Sequence, residues 1–544
     1  EAPDAVPASD VPSEAQVENL WTLGKVWGFL KYHHPSITQG DIDWDGELLA
    51  RIPEVLSAGE RAGGLAAAAG WIDSLPALPD PSGVELDTGR THLVPDLDWI
   101  HDDELLGEGL SAFLEKVHAA RSSAGDQRYA KVGPGAGNPL FDGDEAFADL
   151  MEPDASHRLL GLFRFWNIIQ WWSPYRDLLD DDWDEVLARF IPRVLAAVNR
   201  DVYALEMVAL AALVKDTHTS VWPTYELVPP TGSLTLPVSL RFVQGKAVVW
   251  RVLEGADENV ELMQGDALLE IDGRPVAEIV EEVAPLYPAS NQPTRLSRIA
   301  RRLGRSDVQE ATLLVERAGE EIELRVERMK RDGKAEAKAR PHERPGPAFE
   351  RLSEDVAFVK LSTAKVADVL TYIEEAKGTK GLVVDIRNYP DEFMILYTLA
   401  GHLVTEPTPF AEFTRPDYAN PGATLWGDKA TLMPREPHYP GKVVVLVDES
   451  SISRAEFTAM AFQSVPGAVV LGSTTAGADG NVSPIKLPGG ISSLLSGLGV
   501  FYPDRSPTQR VGVRIDVPCE PTMAGIREER DELLEEAVRR ITGG

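Results

Sequence analysis

A group of serines follows a strongly apolar stretch in the last quarter of the chain. Residues 442–447 read KVVVLV, and Ser450, Ser451 and Ser453 come just before a run with the apolar pattern of a helix. Ser453 and Glu456 have the spacing of a capping box, in which the two side chains satisfy N–H groups at a helix start. A serine at a strand-to-helix turn can instead attack a carbonyl, because N–H groups there stabilise an oxyanion. The segment alone leaves both interpretations open.

The elements around these serines predict a layered α/β core. Apolar stretches with the composition of strands alternate with helical patterns, at residues 356–361, 381–388, 442–449 and 468–473. Such alternation is typical of a sheet whose strands are largely buried. We predict this core at residues 348–525, followed by a C-terminal helix at 526–544.

A different pattern precedes the core. Apolar and polar residues alternate there, and Gly265-Asp266 and Asp272-Gly273 flank a short apolar strand. This arrangement resembles the PDZ domains of bacterial proteases, and the stretch around Gly319 predicts a closing hairpin. We therefore predict a PDZ-like, β-rich module at residues 231–335. A charged, proline-containing linker follows at 336–347.

The N-terminal part contains an internal duplication. Two stretches align without a gap, so that Trp27, Pro35 and Trp44 match Trp166, Pro174 and Trp183, each 139 residues later. Each copy has a helical pattern, a proline-broken connection and a second helical pattern. We predict an internally duplicated helical region at residues 17–230 with its tryptophans in the core. Residues 1–16, rich in proline, alanine and acidic residues, are predicted to be a disordered leader.

Two patterns in this region resemble metal sites, and we reject both. Residues 41–46 begin like a calcium loop, but Ile52 stands where a bidentate glutamate is required. Acidic residues at a helix start explain this segment better. The pair His33-His34 becomes Trp172-Ser173 in the second copy. We therefore predict no metal and no cofactor.

Composition limits the partners that the chain can have. A formal net charge of -33 argues against nucleic acid, because phosphates would be repelled. The lone Cys519 excludes an intramolecular disulfide and is expected to be a small buried residue. No apolar run approaches the roughly 20 residues that span a bilayer. The leader is typical of an exported protein after removal of its signal, which predicts a periplasmic or extracellular location.

The predicted core resembles the catalytic core of C-terminal-processing (tail-specific) serine peptidases, a superfamily that includes tricorn protease. The resemblance covers residues 346–525 and rests on the strands GLVVDIRN and KVVVLVDE, on SSISRAE at a helix start, and on VVLGSTTAG and QRVGVRIDV. It implies a crotonase-like core with a PDZ module before it. It also implies that Ser453 is the nucleophile, since the family has its catalytic serine in the same T/S-x-S-x-x-E context.

A nucleophilic serine requires a base, and the resemblance suggests which residue provides it. One branch of the family uses a lysine in a T-x-G-K-G segment, but residues 475–480 contain no lysine and Lys486 lies out of register. The tricorn-like branch takes a histidine from a D-G-H-T segment in the preceding helical region. Residues 216–219 read DTHT, so the resemblance implies His218 as the base.

The resemblance also implies supporting residues. In the tricorn-like branch a hydroxyl residue before the histidine and a distant carboxylate orient the ring, and Thr217 and Gln509 stand at these places. Gln509 is an amide, which can orient the ring but cannot stabilise imidazolium by charge. The implied oxyanion donors are the N–H groups of Arg454 and of Tyr389 or Asp391. The family has a glycine-rich turn at 389–391, whereas the central residue here is a proline without an N–H.

Three functions therefore remain in competition. The first is a serine peptidase that cleaves peptide bonds in a peptide or protein through an acyl-enzyme on Ser453, with His218 as base. The second is a hydrolase of a non-peptide ester or amide on the same core. The third is a non-catalytic binding protein, because photoreceptor-type relatives hold apolar ligands on this core. The pairing of Ser453 with His218 favours the hydrolases, and the oligomeric state stays open.

Overall fold

The computed structural model describes residues 11–122, 127–224, 226–253, 256, 260–331 and 344–543. The first ten residues of the predicted leader and residues 336–343 of the predicted linker lie outside these ranges. In the described part of the chain, no helix is both long enough and apolar enough to cross a membrane.

The chain forms two compact units. The first, which we call the helical unit, contains Glu1–Leu227, Phe413–Gly427 and Gly480–Gly499. The second, the sheet unit, contains Val228–Glu412, Asp428–Asp479 and Val500–Gly544. Three strands contain points where the chain passes from one unit to the other, namely Thr408–Pro416, Thr424–Leu432 and Gly499–Phe501.

Two segments of the predicted core belong to the helical unit, which differs from the predicted division. Val221–Trp222 pairs antiparallel with the strand Ile491–Ser496, and Thr91–Leu93 pairs with residues 424–425. Strands of two or three residues are too short to show a periodic pattern. The pairing that recruits these segments was therefore invisible in the sequence.

The helical unit consists of helices joined by short strands and loops. Its helices and single helical turns are Glu14–His33, Pro35–Thr38, Trp44–Ser57, Arg61–Asp73, Asp98–His101, Asp103–Leu106, Glu108–Ala120, Ala155–Trp172, Arg176–Leu178, Trp183–Ala196 and Arg200–Leu213. Its remaining strands are Lys131–Val132, Pro139–Leu140 and Val482–Leu487. The first helix begins within the predicted leader, because Ser13 and Gln16 form a reciprocal capping box that starts it there.

The predicted duplication is visible in matching hydrogen bonds. The indole N–H groups of Trp27 and Trp44 each donate to the other's carbonyl, at 3.0 and 2.9 Å. Trp166 and Trp183 repeat this exchange at 2.6 and 3.1 Å. All four tryptophans are buried, which confirms that they belong to the core.

The two copies also exchange equivalent ion pairs. Lys25 Nζ lies 2.6 Å from Asp184 Oδ2, and Arg164 Nη2 lies 2.6 Å from Asp45 Oδ2. Lys25 is equivalent to Arg164, and Asp45 to Asp184, at the same spacing of 139 residues. Each copy therefore gives the other the same contact, which is the pattern of a two-fold, isologous interface within one chain.

The calcium-like segment has structural roles of another kind. Asp43 Oδ1 accepts a hydrogen bond from Gly46 N at 3.1 Å, which caps the helix Trp44–Ser57. Asp45 is buried between Arg164 and Lys31, with Lys31 Nζ at 3.3 Å. Both carboxylates are engaged in a helix cap and in ion pairs, as expected for acidic residues at a helix start.

The sheet unit begins with an antiparallel sheet and two helices. Its five main strands follow the order Glu320–Glu327, Glu310–Arg317, Ala267–Ile271, Lys246–Val252 and Val238–Val243. The shorter strands are Leu234–Thr235, Arg274–Pro275 and Met329–Lys330, and the helical segments are Val276–Val283, Ala284–Leu286 and Gln292–Ala300. The predicted hairpin is present, because the left-handed backbone of Ala318 and Gly319 closes it.

A second sheet of six strands forms the α/β core of this unit. The order is Phe349–Arg351, Val356–Lys360, Gly381–Asp385, Lys442–Val447, Val469–Gly472 and Val517–Pro518, with only the first pair antiparallel. The accompanying helical segments are Val366–Asp368, Val369–Ala376, Ile395–Gly401, Arg454–Gln463, Met523–Arg527 and Glu532–Thr542. Every residue of Gly381–Asp385 is buried, as expected for a parallel strand covered on both faces.

The C-terminal helix covers one face of this sheet. Its residues Leu533, Leu534, Ala537 and Ile541 pack in one cluster with apolar strand residues such as Val383 and Leu446. Cys519 packs against the same cluster and is half-buried, which agrees with a packing role. Parallel strands place their carboxyl ends at one edge of a sheet, so the chain after Asp385 and after Val447 emerges there.

Candidate active site

Ser453 occupies a strained turn between a strand and a helix. It follows the strand Lys442–Val447 and directly precedes the helix Arg454–Gln463. Its backbone has φ 55° and ψ -119°, whereas the capping Ser13 has the extended values -66° and 161°. Serine rarely adopts a positive φ, because its Cβ crowds the backbone, and N-cap residues are normally extended. A sharp strained turn of this kind presents a nucleophile in other hydrolases.

The neighbouring serines have structural contacts. Ser451 is buried, and its hydroxyl donates to Ile386 O at 2.9 Å while it accepts from Asp448 N at 3.2 Å. Ser450 N donates to Asp448 Oδ1 at 2.9 Å. Ser451 thus ties the turn to the neighbouring strand end, and Ser453 is the partly exposed serine at the helix start.

Glu456 is buried and accepts four hydrogen bonds around this turn. Its Oε2 accepts from Ser453 N at 3.1 Å and from Ala478 N at 3.0 Å. Its Oε1 accepts from Thr475 Oγ1 at 2.6 Å and from Gly477 N at 2.8 Å. The predicted capping contact from glutamate to Ser453 N is therefore present. The same carboxylate also fastens the 475–478 loop to the serine turn.

The environment of Glu456 perturbs its ionisation. Burial raises the pKa of the Glu456 carboxyl to about 7, although the four hydrogen bonds lower it. Three of the four donors are backbone N–H groups that cannot accept a proton from a carboxylic acid. The geometry therefore suits the ionised carboxylate.

Replacing Glu456 with glutamine is expected to destabilise the protein. The amide NH2 cannot accept hydrogen bonds, so it leaves two buried donors unsatisfied. Each unsatisfied donor costs about 1–3 kcal/mol, so the free energy of unfolding should fall by about 2–6 kcal/mol. Chemical denaturation measures this change. Ser13→Ala, at the N-cap of the exposed first capping box, is the control and should cost only about 0.5–2 kcal/mol. An unchanged denaturation midpoint in Glu456→Gln would show that the Glu456 carboxylate does not hold the 475–478 loop to the serine turn.

The three predicted oxyanion donors lie close together in the sheet unit. Arg454 Nη1 donates to Pro390 O at 3.2 Å and to Asp391 O at 3.1 Å. Its guanidinium also lies over the Tyr389 ring, 5.1 Å from the centroid. The residue after Ser453 thus holds the 389–391 turn beside the serine turn. The N–H of Arg454 is at the first position of its helix, where intrahelical acceptors are lacking.

Arg241 supports the loop before Ser453 and was missed in the sequence. It lies on the strand Val238–Val243, and its Nη2 is 3.1 Å from Asp448 Oδ2 and 2.7 Å from Glu449 Oε2. Burial raises the pKa of the Asp448 carboxyl, and the positive charge of Arg241 opposes that rise. The antiparallel sheet is therefore anchored to the loop that carries Ser453. An arginine between the apolar residues Leu240 and Phe242 was the signal available.

His218 lies in a tightly bonded loop of the helical unit. Asp216 Oδ1 accepts from His218 N at 3.0 Å, and Thr219 N donates to Asp216 O at 2.9 Å. Thr217 is buried between these residues. The imidazole Nδ1 lies 2.9 Å from Ser496 Oγ. Ser496 was not among the predicted residues, because nothing in its own segment distinguishes it.

Gln509 lies in the sheet unit and is buried. Its Oε1 has no hydrogen-bond partner in the described part of the chain. The next residue, Arg510, donates its N–H to Gly477 O at 2.7 Å, and Gly477 belongs to the loop that Glu456 holds. Within this unit the structure therefore links the Gln509 loop to the Ser453 turn. The orienting role of Gln509 stays a prediction.

A comparison with family models decides the identity of the core. Residues 353–519 match the model of peptidase family S41. This part of the chain belongs to peptidase family S41. The S41 match covers the strand ends, the Ser453 turn and the Gln509 loop, and it confirms the prediction of a serine-type peptidase, a hydrolase.

Solved structures similar to this chain cover about 70% of its length. Mature CPAF complexed with lactacystin is 16% identical, with a TM-score of 0.55, over 72% of this chain and 99% of its own. An alanine mutant of CPAF is 15% identical, with a TM-score of 0.57, over 71% and 96%. The photosystem II D1 C-terminal processing protease is 16% identical over 69% and 97%, with a TM-score of 0.39. No curated protein sequence matches the chain.

The lysine and histidines that the sequence analysis set aside have contacts of their own. Lys486 lies exposed on the strand Val482–Leu487, in the helical unit, and its carbonyl accepts from Arg164 Nη1. Among the residues that the structure describes, no three His, Cys, Asp or Glu side chains form a group that could hold a metal ion. His33 stacks on Phe29, with ring centroids 4.2 Å apart, which is a packing contact.

Proposed function

We propose that this S41 peptidase cleaves peptide bonds through an acyl-enzyme on Ser453, with His218 as general base and then general acid. The observation that carries the proposal is the backbone of Ser453, which has φ 55° at the turn between a strand and a helix. A helix cap needs no such strain, whereas a nucleophile gains from it, because the hydroxyl is presented away from the turn.

The proposed reaction begins with attack of Ser453 Oγ on the scissile carbonyl. The hydroxyl proton passes to Nε2 of His218, and the carbonyl oxygen becomes an oxyanion. The N–H of Arg454 and an N–H of Tyr389 or Asp391 stabilise that charge, which develops only in the transition state. Imidazolium then protonates the leaving amine, and water hydrolyses the acyl-enzyme with the same histidine as base.

The architecture supports the finer assignments of this proposal. The antiparallel sheet with two helices at residues 234–330 supports a PDZ-like module, which we propose binds or positions the substrate. The parallel strands from Val356 to Pro518 support a crotonase-like core. The family name supports a peptide or protein as substrate. Thr217 and Gln509 remain candidates for orienting the base.

A fluorophosphonate probe tests the nucleophile. We expect intact protein to form one adduct, located on Ser453 by peptide mass spectrometry, and to hydrolyse fluorescein-labelled casein. Ser450→Ala is the matched control and should be labelled like the wild type, since Ser450 lies outside the strained turn. Absence of an adduct on Ser453 would refute the mechanism. Labelling with cleavage of p-nitrophenyl butyrate but not of casein would favour the ester or amide hydrolase.

A further inference from the structure

The histidine loop of the helical unit has a partner that comes from far along the chain. Ser496 is the last residue of the strand Ile491–Ser496 and is fully buried. Its hydroxyl oxygen lies 2.9 Å from His218 Nδ1, although 278 residues separate the two. A hydroxyl at this distance forms a hydrogen bond with the ring, so it restrains the rotation of the imidazole.

Asp216 fixes both partners of this hydrogen bond. Its Oδ2 accepts from Ser496 N at 3.0 Å, and its Oδ1 accepts from His218 N at 3.0 Å. Asp216 Oδ1 is 3.8 Å from His218 Nδ1, which is beyond hydrogen-bond distance. The Asp216 carboxylate therefore holds the backbones of Ser496 and His218 in place, while the Ser496 hydroxyl contacts the imidazole ring.

The tautomer of the ring follows from which nitrogen donates. A base must keep a lone pair on the nitrogen that faces its substrate, so the other nitrogen must carry the proton. When Nδ1–H donates to Ser496 Oγ, Nε2 has the lone pair that can accept the proton of Ser453. The nearby charge of Asp216 then favours the imidazolium that forms during attack.

We propose that Ser496, held by Asp216, is the positioning residue that orients His218 by accepting a hydrogen bond from its Nδ1–H. This inference rests on the proposed function, in which His218 is the base. It gives the orienting role to a residue of the same unit in place of Gln509, whose buried Oε1 accepts no hydrogen bond in the described part of the chain.

The test uses the concentration dependence of fluorophosphonate labelling in the full chain. Ser496→Ala should lower the limiting labelling rate kinact by about 10- to 100-fold, the range known for hydrogen-bond partners of metal-bound histidines, and leave the probe's KI unchanged. Ser496→Thr restores the hydroxyl and should return kinact close to the wild-type value. Ser493→Ala is the control, because Ser493 is buried on the same strand and its hydroxyl bonds Leu494 O.

A spectroscopic measurement on the wild type decides the inference even where Ser496→Ala fails to fold. In protein labelled with 15N-histidine, the His218 signals are assigned by their loss in His218→Gln. We expect the Nδ1–H tautomer. The Nε2–H tautomer, or a Ser496→Ala protein with wild-type kinact, would overturn the role of Ser496. A wild-type protein that is not labelled at all would instead refute the proposed function, so the two failures are distinguishable.

Discussion

Ser453→Ala is expected to lower casein hydrolysis by about 10⁴- to 10⁶-fold, the range for loss of a catalytic nucleophile, while the melting temperature stays nearly unchanged. In the proposed mechanism the Ser453 hydroxyl oxygen forms the acyl-enzyme, so no other group of the turn can replace it. A serine that only capped the helix would behave differently. Its loss would cost about 0.5–2 kcal/mol of stability, and activity would fall only as far as the protein unfolds.

Ser453→Gly sharpens the comparison. Glycine adopts φ 55° without the crowding that serine suffers, so this variant should be inactive and yet more stable by about 1 kcal/mol. The gain comes from the backbone and is expected in either role, so loss of hydrolysis in this more stable variant could not be caused by unfolding. Thermal denaturation and casein hydrolysis of both variants give the answer, with Ser450→Ala as control. A folded Ser453→Ala protein with near-normal hydrolysis would end the case for this serine.

The parts of the fold with a strong local pattern could be predicted from the sequence. The tryptophan spacing of 139 residues indicated two equivalent helical pairs, and the structure shows the same indole-to-carbonyl exchange in each. Continuous apolar runs indicated buried parallel strands, and those strands form one sheet. Both patterns are enforced by burial, which acts on every residue of the element and therefore leaves a long signal in the sequence.

The contacts of single polar side chains could be predicted only in part. The Ser-x-x-Glu spacing indicated the hydrogen bond that Ser453 N donates to Glu456, because both residues lie in one helical turn. The other donors to Glu456 come from the 475–478 loop, about 20 residues away, and no spacing encodes their approach. A Cβ on Gly477 would lie 2.7 Å from the backbone of Arg510, so glycine permits that packing.

Ser496 shows the same limit over a longer distance. The DTHT segment indicated Thr217, whose hydroxyl is next to His218 in sequence, as the orienting residue. The imidazole ring is instead hydrogen-bonded to the hydroxyl of Ser496, 278 residues away. That bond depends on the pairing of Ile491–Ser496 with the two-residue strand Val221–Trp222. A strand of two residues is too short to show an alternation of apolar and polar residues, so its partner strand cannot be inferred before the fold is known.

His218→Ala should lower casein hydrolysis and fluorophosphonate labelling nearly as far as Ser453→Ala. Without the imidazole no group takes the proton from Ser453 Oγ, and an alcohol is a weak nucleophile at neutral pH. The double variant should be scarcely worse than either single variant, because the two side chains act as one unit in the same step. Independent contributions would instead multiply, which makes the double variant the decisive measurement.

His157→Gln is the control for loss of a histidine in the helical unit, because His157 is hydrogen-bonded to Asp154 at the start of its helix and packs edge-on against the Phe147 ring. It should keep wild-type hydrolysis.

The expected loss of activity in His218→Ala depends on chemistry rather than folding, so the melting temperature of this variant should remain close to that of the wild type. If His218→Ala were folded and as active as the wild type, another residue would be the base, and Ser453 would have to be paired with it. If the double variant fell below both single variants by the product of their effects, Ser453 and His218 would act in separate steps, and the acyl-enzyme mechanism with a shared proton would be wrong.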